Sequence, residues 1–146
     1  MAYDSTEDTK AHIAEVAYLL KECAAQLEKR ARLHDQSKFS VAEKPFYDFY
    51  IPAIKSAEYG SEIYRLSVEK LDTALEHHYA NNSHHPEYYK NGIAGMNLFD
   101  VIEMLCDWMS RSDDIEGSIE YLGAKYYMPY ELISILKNTA DYWKEE

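Results

Sequence analysis

From Thr6 to Leu33 the sequence contains neither glycine nor proline, and its apolar residues recur at steps of three and four. This apolar set includes Ile13, Val16, Ala17, Leu20, Ala24, Leu27 and Ala31. Because an α-helix has 3.6 residues per turn, such spacing puts apolar side chains on one helical face. The pattern predicts one long amphipathic helix that any fold of this chain must accommodate.

The rest of the chain repeats this helical period between breaks that include Gly60, Asn81-Asn82-Ser83 and a loop with Pro86, Gly92 and Gly95. Residues 40–43, Ser-Val-Ala-Glu, have the form of a capping box and predict a second helix over 41–57. A third helix is predicted from Ser61 to about Tyr79, and its inward row would be Tyr64, Val68, Leu71, Leu75 and His78. An ordered loop is predicted over 84–95, and further helices over 97–111, 114–124 and 129–144.

No segment alternates with period two for long enough to make a convincing strand, so the predicted fold class is all-α. A chain of 146 residues fits a single domain, here 1–146. The only cysteines, Cys23 and Cys106, lie in apolar stretches and are predicted to be buried free thiols. Without a secretory leader pattern at the N-terminus, the predicted location is cytoplasmic.

The formal net charge of −11 repels polyphosphate backbones, so nucleic-acid polymers are poor candidate partners. No apolar run reaches the roughly 18 residues that suggest a membrane span, and no membrane partner is expected. A small phosphorylated ligand remains compatible with this charge, because a bound divalent cation can reverse the sign of the local field. The oligomeric state is left open by the sequence.

Five of the six histidines fall in three tight groups, which are His34 beside Asp35, His77-His78 and His84-His85. On a helix that continues past Ala31, His34 projects inward and Asp35 follows about 100° round, so both can reach one interior point. A neutral imidazole nitrogen with an anionic oxygen suits divalent Zn, Fe or Mn. The alternative is a helix C-terminal cap without a metal.

The next two histidine groups also contain side chains that can reach the interior point near His34 and Asp35. His78 lies three residues after Leu75 and is the better candidate ligand, whereas His77 shares a face with polar residues. His84 and His85 follow in the loop and can fold back over the same pocket. A solvated, merely histidine-rich loop is the alternative for this pair.

Three carboxylates on the helix after Met96 lie within about 60° of one another, while apolar residues occupy most of its remaining circumference. They are Asp100, Glu103 and Asp107. A helix that is apolar nearly all round is buried, and buried carboxylates need hydrogen bonds, a counter-charge or a metal. The alternative is a solvated seam in which Asp107 pairs with Arg111.

The segment LHDQSKF at 33–39 resembles the HD-x-G-K core of the HD-domain metal-dependent phosphohydrolases, with Ser37 in place of the glycine. More closely, HDQSKFS, HHYANNSHHPEYY and EMLCDW, in that order, resemble a family of short uncharacterised bacterial and phage proteins with HD-type motifs. The resemblance covers roughly residues 12–108. It implies a compact, HD-domain-like bundle of about six helices that holds one or two divalent ions, with Mn, Fe, Zn, Mg and Ni as candidates.

Position by position, the resemblance implies that His34 and Asp35 are metal ligands and that Asp107 is a ligand from a late helix. His78, His84 and His85 match the extra histidines that complete a second metal or line the substrate pocket. We assign His78 to the metal.

Lys38 stands where HD enzymes often place a phosphate-binding lysine. The first histidine of the HD pattern has only His12 as a candidate. If 6–33 is one unbroken helix, His12 is about 33 Å from His34 and cannot share its metal.

The function expected is hydrolysis of a nucleotide or other small phosphate ester by a metal-activated water. Glu103, His84 or His85 would act as general acid or base. Two rivals stay open, a di-iron oxygenase of the HD fold and a non-catalytic binding protein, for instance of phage origin.

Overall fold

The computed structural model describes residues 3–144 and confirms the all-α class. Its α-helices are α1 (Thr6–Leu33), α2 (Lys44–Ser56), α3 (Glu62–Asn81), α4 (Leu98–Arg111), α5 (Ile115–Lys125) and α6 (Tyr130–Lys144). Three short 3₁₀ helices separate some of them, and no β-strand occurs between residues 3 and 144. None of the described helices combines the length and the apolar character that a membrane span requires.

The chain divides into two units, Met1–His34 and Asp35–Glu146, and the prediction of a single domain stays a prediction. The first unit contains α1, which is continuous over the range that its apolar spacing predicts. Because α1 is unbroken, His12 and His34 are about 33 Å apart at 1.5 Å per residue. His12 therefore cannot bind the same ion as His34.

In the second unit, α2 and α3 pack against each other. The predicted capping box before α2 is wrong, because residues 41–43 form a turn and the helix begins only at Lys44. Glu43, the residue before α2, makes no side-chain cap and is fully buried. The residue that the sequence predicts as part of a capping box is therefore a buried carboxylate.

The inward side of α3 differs in part from the predicted row. Its buried residues are Ser67, Ala74 and His78. His78 is confirmed as inward, but Val68 is exposed, because the buried line runs through Ser67 on the neighbouring side of the helix. The other predicted members, Tyr64, Leu71 and Leu75, are half-buried.

The last three helices enclose the apolar core of the second unit. Its buried members are Met104 and Leu105 from α4, Ile115 and Ile119 from α5, Met128, and Leu136 and Ala140 from α6. The prediction of buried cysteines is wrong, since Cys23 and Cys106 are both exposed. Cys106 lies about 160° round α4 from the buried Met104, on the side away from the core.

The loop between α3 and α4 is attached to the start of α4 by the buried carboxylate of Asp100. One oxygen accepts a hydrogen bond from Ser83 Oγ at 2.7 Å, and the other accepts from Tyr89 Oη at 2.7 Å and from the Asn97 backbone N–H at 2.9 Å. Asn97 completes a capping box with its own side chain. Burial and the bond to Asp100 raise the pKa of Tyr89 to about 12, so its hydroxyl stays a donor. This anchor fixes the segment that carries His84 and His85.

Replacing Asp100 by alanine is expected to lower the free energy of unfolding by about 2–4 kcal/mol, because a helix cap is lost and buried donors lose their charged acceptor. Urea denaturation followed by circular dichroism measures the change. Asp113→Ala, at an exposed position, is the matched control and should change stability by less than about 0.5 kcal/mol. Equal effects of the two substitutions would contradict the anchoring role.

Candidate metal centre

Asp35 stands at the centre of the candidate site, and its backbone is unusual. It follows the end of α1 with a φ of 56°, in the left-handed region that favours glycine. Asparagine and aspartate are the side chains that tolerate this region best, and residues just past a helix C-terminus often adopt it. A carboxylate here is therefore held in a conformation that most residues reach only at a cost.

The two carboxylate oxygens of Asp35 have different neighbours. Oδ1 lies 3.2 Å from His78 Nε2 and 3.5 Å from His84 Nε2. Oδ2 lies 2.5 Å from Lys38 Nζ and 3.5 Å from a guanidinium nitrogen of Arg111. Asp35 thus has one oxygen beside imidazoles and the other beside cations.

The buried ring of His78 is oriented by a buried carboxylate. Its Nδ1 is 3.0 Å from Glu43 Oε2, while the other Glu43 oxygen is 2.7 Å from His77 Nδ1. Burial alone would raise the pKa of the Glu43 carboxyl, but hydrogen bonds with His77, Ser37 and His78 hold it below its usual value. With Nδ1 engaged by an ionised acid, His78 presents Nε2 towards Asp35.

The buried ring of His84 repeats this arrangement on another element. Its Nδ1 lies 3.2 Å from Glu103 Oε1 of α4, and its Nε2 faces Asp35. A histidine that binds a metal through one ring nitrogen usually engages a carboxylate or carbonyl with the other, which fixes its orientation. His78 and His84 both have the carboxylate partner that this arrangement requires.

His85 completes the group from the loop. Its Nε2 lies 3.0 Å from His78 Nε2, and its ring centroid is 4.2 Å from that of His84. Burial, reinforced by the neighbouring His84 and His78, lowers the pKa of His85 to about 3. The ring is therefore neutral near pH 7, as metal binding through nitrogen requires.

Four residues of the second unit bring a possible ligand atom to within 4.8 Å of one another, and they are Asp35, His78, His84 and His85. One carboxylate with three imidazoles is a donor set suited to Zn, Fe, Mn or Ni and poor in the all-oxygen ligands that Mg and Ca prefer. These atoms converge from the α1–α2 connection, from α3 and from the loop that follows α3. Their types and their closeness together fit a divalent ion.

Asp107 combines one element of each interpretation that the sequence left open, since it is buried rather than in a solvated seam but does pair with Arg111. It is buried, as predicted for a ligand, and its Oδ1 accepts a 2.7 Å hydrogen bond from the exposed Arg111. A carboxylate oxygen of Asp107 also lies within 4.8 Å of one from Asp35. The Arg111 guanidinium is thus shared by two carboxylates, and metal ligation by Asp107 stays a prediction.

The other predicted site residues have the following positions. His34 follows the last residue of α1 as its C-cap, where its backbone N–H donates a hydrogen bond to the Arg30 carbonyl, and its role as a ligand stays a prediction. Glu103, predicted as a general acid or base, contacts His84. Lys38, predicted to bind phosphate, contacts Asp35.

Sequence reasoning missed two residues of this site. Glu43 was assigned to a helix cap, and only its pairing with His77 and His78 across the α2–α3 contact reveals its position. Arg111 was considered only as a surface partner of Asp107. Its spacing of four residues from that acid was the one available signal.

Comparison with known proteins assigns the chain to a family but indicates no activity. No curated protein matches it, and no solved structure does either. The model of a protein family of unknown function, DUF5662, matches residues 1–141, nearly the whole chain. The chain therefore belongs to the DUF5662 family.

Proposed function

We propose that this chain is a metal-dependent phosphohydrolase that acts on a nucleotide or another small phosphate ester in the cytoplasm. The observation that supports it best is the convergence of Asp35, His78, His84 and His85 within 4.8 Å, with two cations beside the same carboxylate. A metal site alone would fit many functions. Cations beside it favour an anionic substrate.

Asp35 Oδ1 and the Nε2 atoms of His78 and His84 would hold a divalent ion, and His85 would complete the set. Such an ion would supply a lowered pKa for a bound water and positive charge beside the phosphoryl oxygens. Glu43 and Glu103 act as positioning residues, because each engages the Nδ1 atom of a ligand histidine. Ligation by His84 and His85 would replace their predicted acid–base roles, whereas the acid–base role of Glu103 stays a prediction.

Lys38 and Arg111 would bind the phosphate. Lys38 Nζ and the Arg111 guanidinium both lie beside Asp35 Oδ2, whereas His78 and His84 lie beside Oδ1. Arginine matches two phosphate oxygens with its planar fork, and lysine adds a compact charge. A phosphate bound by this pair would lie next to an ion held at Oδ1.

The deciding experiment is elemental analysis of protein purified without chelator, followed by a phosphate-release screen over nucleotides and other small phosphate esters. We expect a retained transition metal and release of phosphate that a chelator abolishes. Retained iron with oxygen consumption and no phosphate release would overturn the proposal in favour of an oxygenase. Protein without metal and without turnover would favour a binding protein.

Asp35→Asn should lower metal affinity at least about tenfold, because it removes the charge of a central ligand. Asparagine is preferable to alanine here, since it keeps the size of the side chain and tolerates the left-handed backbone. Metal titration by calorimetry measures the change. Asp48→Asn, an exposed aspartate paired with Lys44, is the matched control and should bind metal as the wild type does.

Glu43→Gln should weaken metal binding by about 10–100-fold, because the buried carboxylate that orients His78 is lost while the volume is kept. The same titration reports the effect, and circular dichroism verifies the helical content. Glu62→Gln, in the exposed first turn of α3, serves as control. Wild-type affinity in Glu43→Gln would remove His78 from the ligand set.

Lys38→Ala should retain the metal and raise the KM for a phosphate ester by about 10–100-fold, as expected for a lost charge-assisted hydrogen bond. Steady-state kinetics at saturating metal measures this effect. Lys70→Ala removes an equivalent charge from an exposed position on α3 and should leave KM unchanged. An unchanged KM in Lys38→Ala would exclude this lysine from substrate binding.

A further inference from the structure

A cavity of about 500 Å³ in the second unit borders the candidate metal centre. Its polar lining includes Lys38, His78, His85 and Arg111, the residues that surround Asp35 or belong to the metal cluster. This volume falls within the roughly 300–1,000 Å³ typical of small-molecule sites. The cavity is thus positioned to receive whatever is attached to a phosphate bound beside the cluster.

The wall of the cavity is carbon-rich on the α3 side and at Ile51, whereas Lys44 and Asp48 of α2 contribute an exposed ion pair to the lining. Ile51 comes from α2, Leu71 and Leu75 come from α3, and Tyr79 follows one turn later. None of the described lining residues is an asparagine or glutamine, the side chains whose amides pair with nucleobase edges. This wall favours an apolar ring over a group that needs several directed hydrogen bonds.

One residue of the lining carries a hydroxyl that forms no hydrogen bond with the described part of the protein. The hydroxyl of Tyr47, on α2, is buried and has no hydrogen-bond partner within residues 3–144. A buried hydroxyl without a partner is unfavourable, because it has lost its hydrogen bonds to water. Because Tyr47 lines the cavity, a ligand group that displaces the atoms covering this hydroxyl can supply the missing bond.

We propose that this cavity binds the organic part of the substrate, and that this part is a compact, largely apolar ring bearing one hydrogen-bonding substituent that meets the Tyr47 hydroxyl. The inference rests on the proposed function and narrows its substrate class to phosphomonoesters of such alcohols. Lys38 and Arg111 bind the phosphate, the α2–α3 wall binds the ring, and Tyr47 discriminates between substituents. Tyr47 is then a specificity residue rather than a catalytic one.

The test uses arylphosphonates, which carry a phosphate-like group that cannot be hydrolysed, so that binding is measured without turnover. Calorimetry on the full, Mn²⁺-loaded chain compares inorganic phosphate, phenylphosphonate and the three isomeric hydroxyphenylphosphonates. Phenylphosphonate should bind at least about tenfold more tightly than phosphate, because its ring leaves water. At least one hydroxyl isomer should bind about 3–10-fold more tightly again.

The variant Tyr47→Phe removes only the hydroxyl. It should abolish the additional affinity of the hydroxyl isomer and leave phenylphosphonate within about twofold of its wild-type affinity. A gain that survives in Tyr47→Phe, or no gain with any isomer, would overturn the role of Tyr47.

A second variant tests the cavity itself. Ile51→Trp fills it from a partly exposed position, where the larger side chain disturbs the fold least. It should weaken phenylphosphonate about tenfold and leave inorganic phosphate unchanged. Equal affinities for phosphate and phenylphosphonate in the wild type would refute the cavity assignment, whereas tight arylphosphonate binding without any esterase activity would refute only the hydrolase.

Discussion

Charge compensation around Asp35 is the constraint on which the second unit of this protein depends. Several ionisable groups have been taken out of water in a small volume, and each such group costs free energy unless a partner replaces its hydration. In this structure the ionisable groups are paired with one another. Glu43 contacts His77 and His78, and Glu103 contacts His84. Asp35 lies between histidines and cations. A core built for stability alone would contain apolar side chains here.

The elements around this cluster have distinct tasks. The α4–α6 helices bury the apolar residues, whereas the α2–α3 pair contributes a buried acid, a buried histidine and the cavity wall. The Asp100 anchor connects the two, because it attaches the histidine-bearing loop to the first turn of α4. The apolar core and the ionisable cluster thus occupy different parts of one unit. They are joined by the Asp100 anchor and by the contacts of Glu103 with His84 and of Arg111 with Asp35.

Sequence periodicity was enough to predict all six helices to within a few residues, because apolar spacing and glycine or proline breaks are local signals. The inward position of His78 followed from the same signal. Glu43 and the cavity did not, since both depend on how α2 and α3 pack and on side chains distant in sequence. Val68 shows the limit within one helix, where an error of one residue rotates the inferred face by about 100°.

The left-handed backbone of Asp35 sets conformational strain against charge compensation at one position. Glycine would occupy this conformation without the steric penalty, which is about 1–2 kcal/mol for an ordinary side chain and smaller for aspartate, but it would leave Lys38, Arg111 and His78 without the carboxylate beside them. Selection for heat tolerance would therefore meet two opposing effects at this position, relief of the backbone and loss of the charge at the centre of the cluster. Within the family, glycine at this position would identify a member in which the neighbouring cations and imidazoles must find another partner.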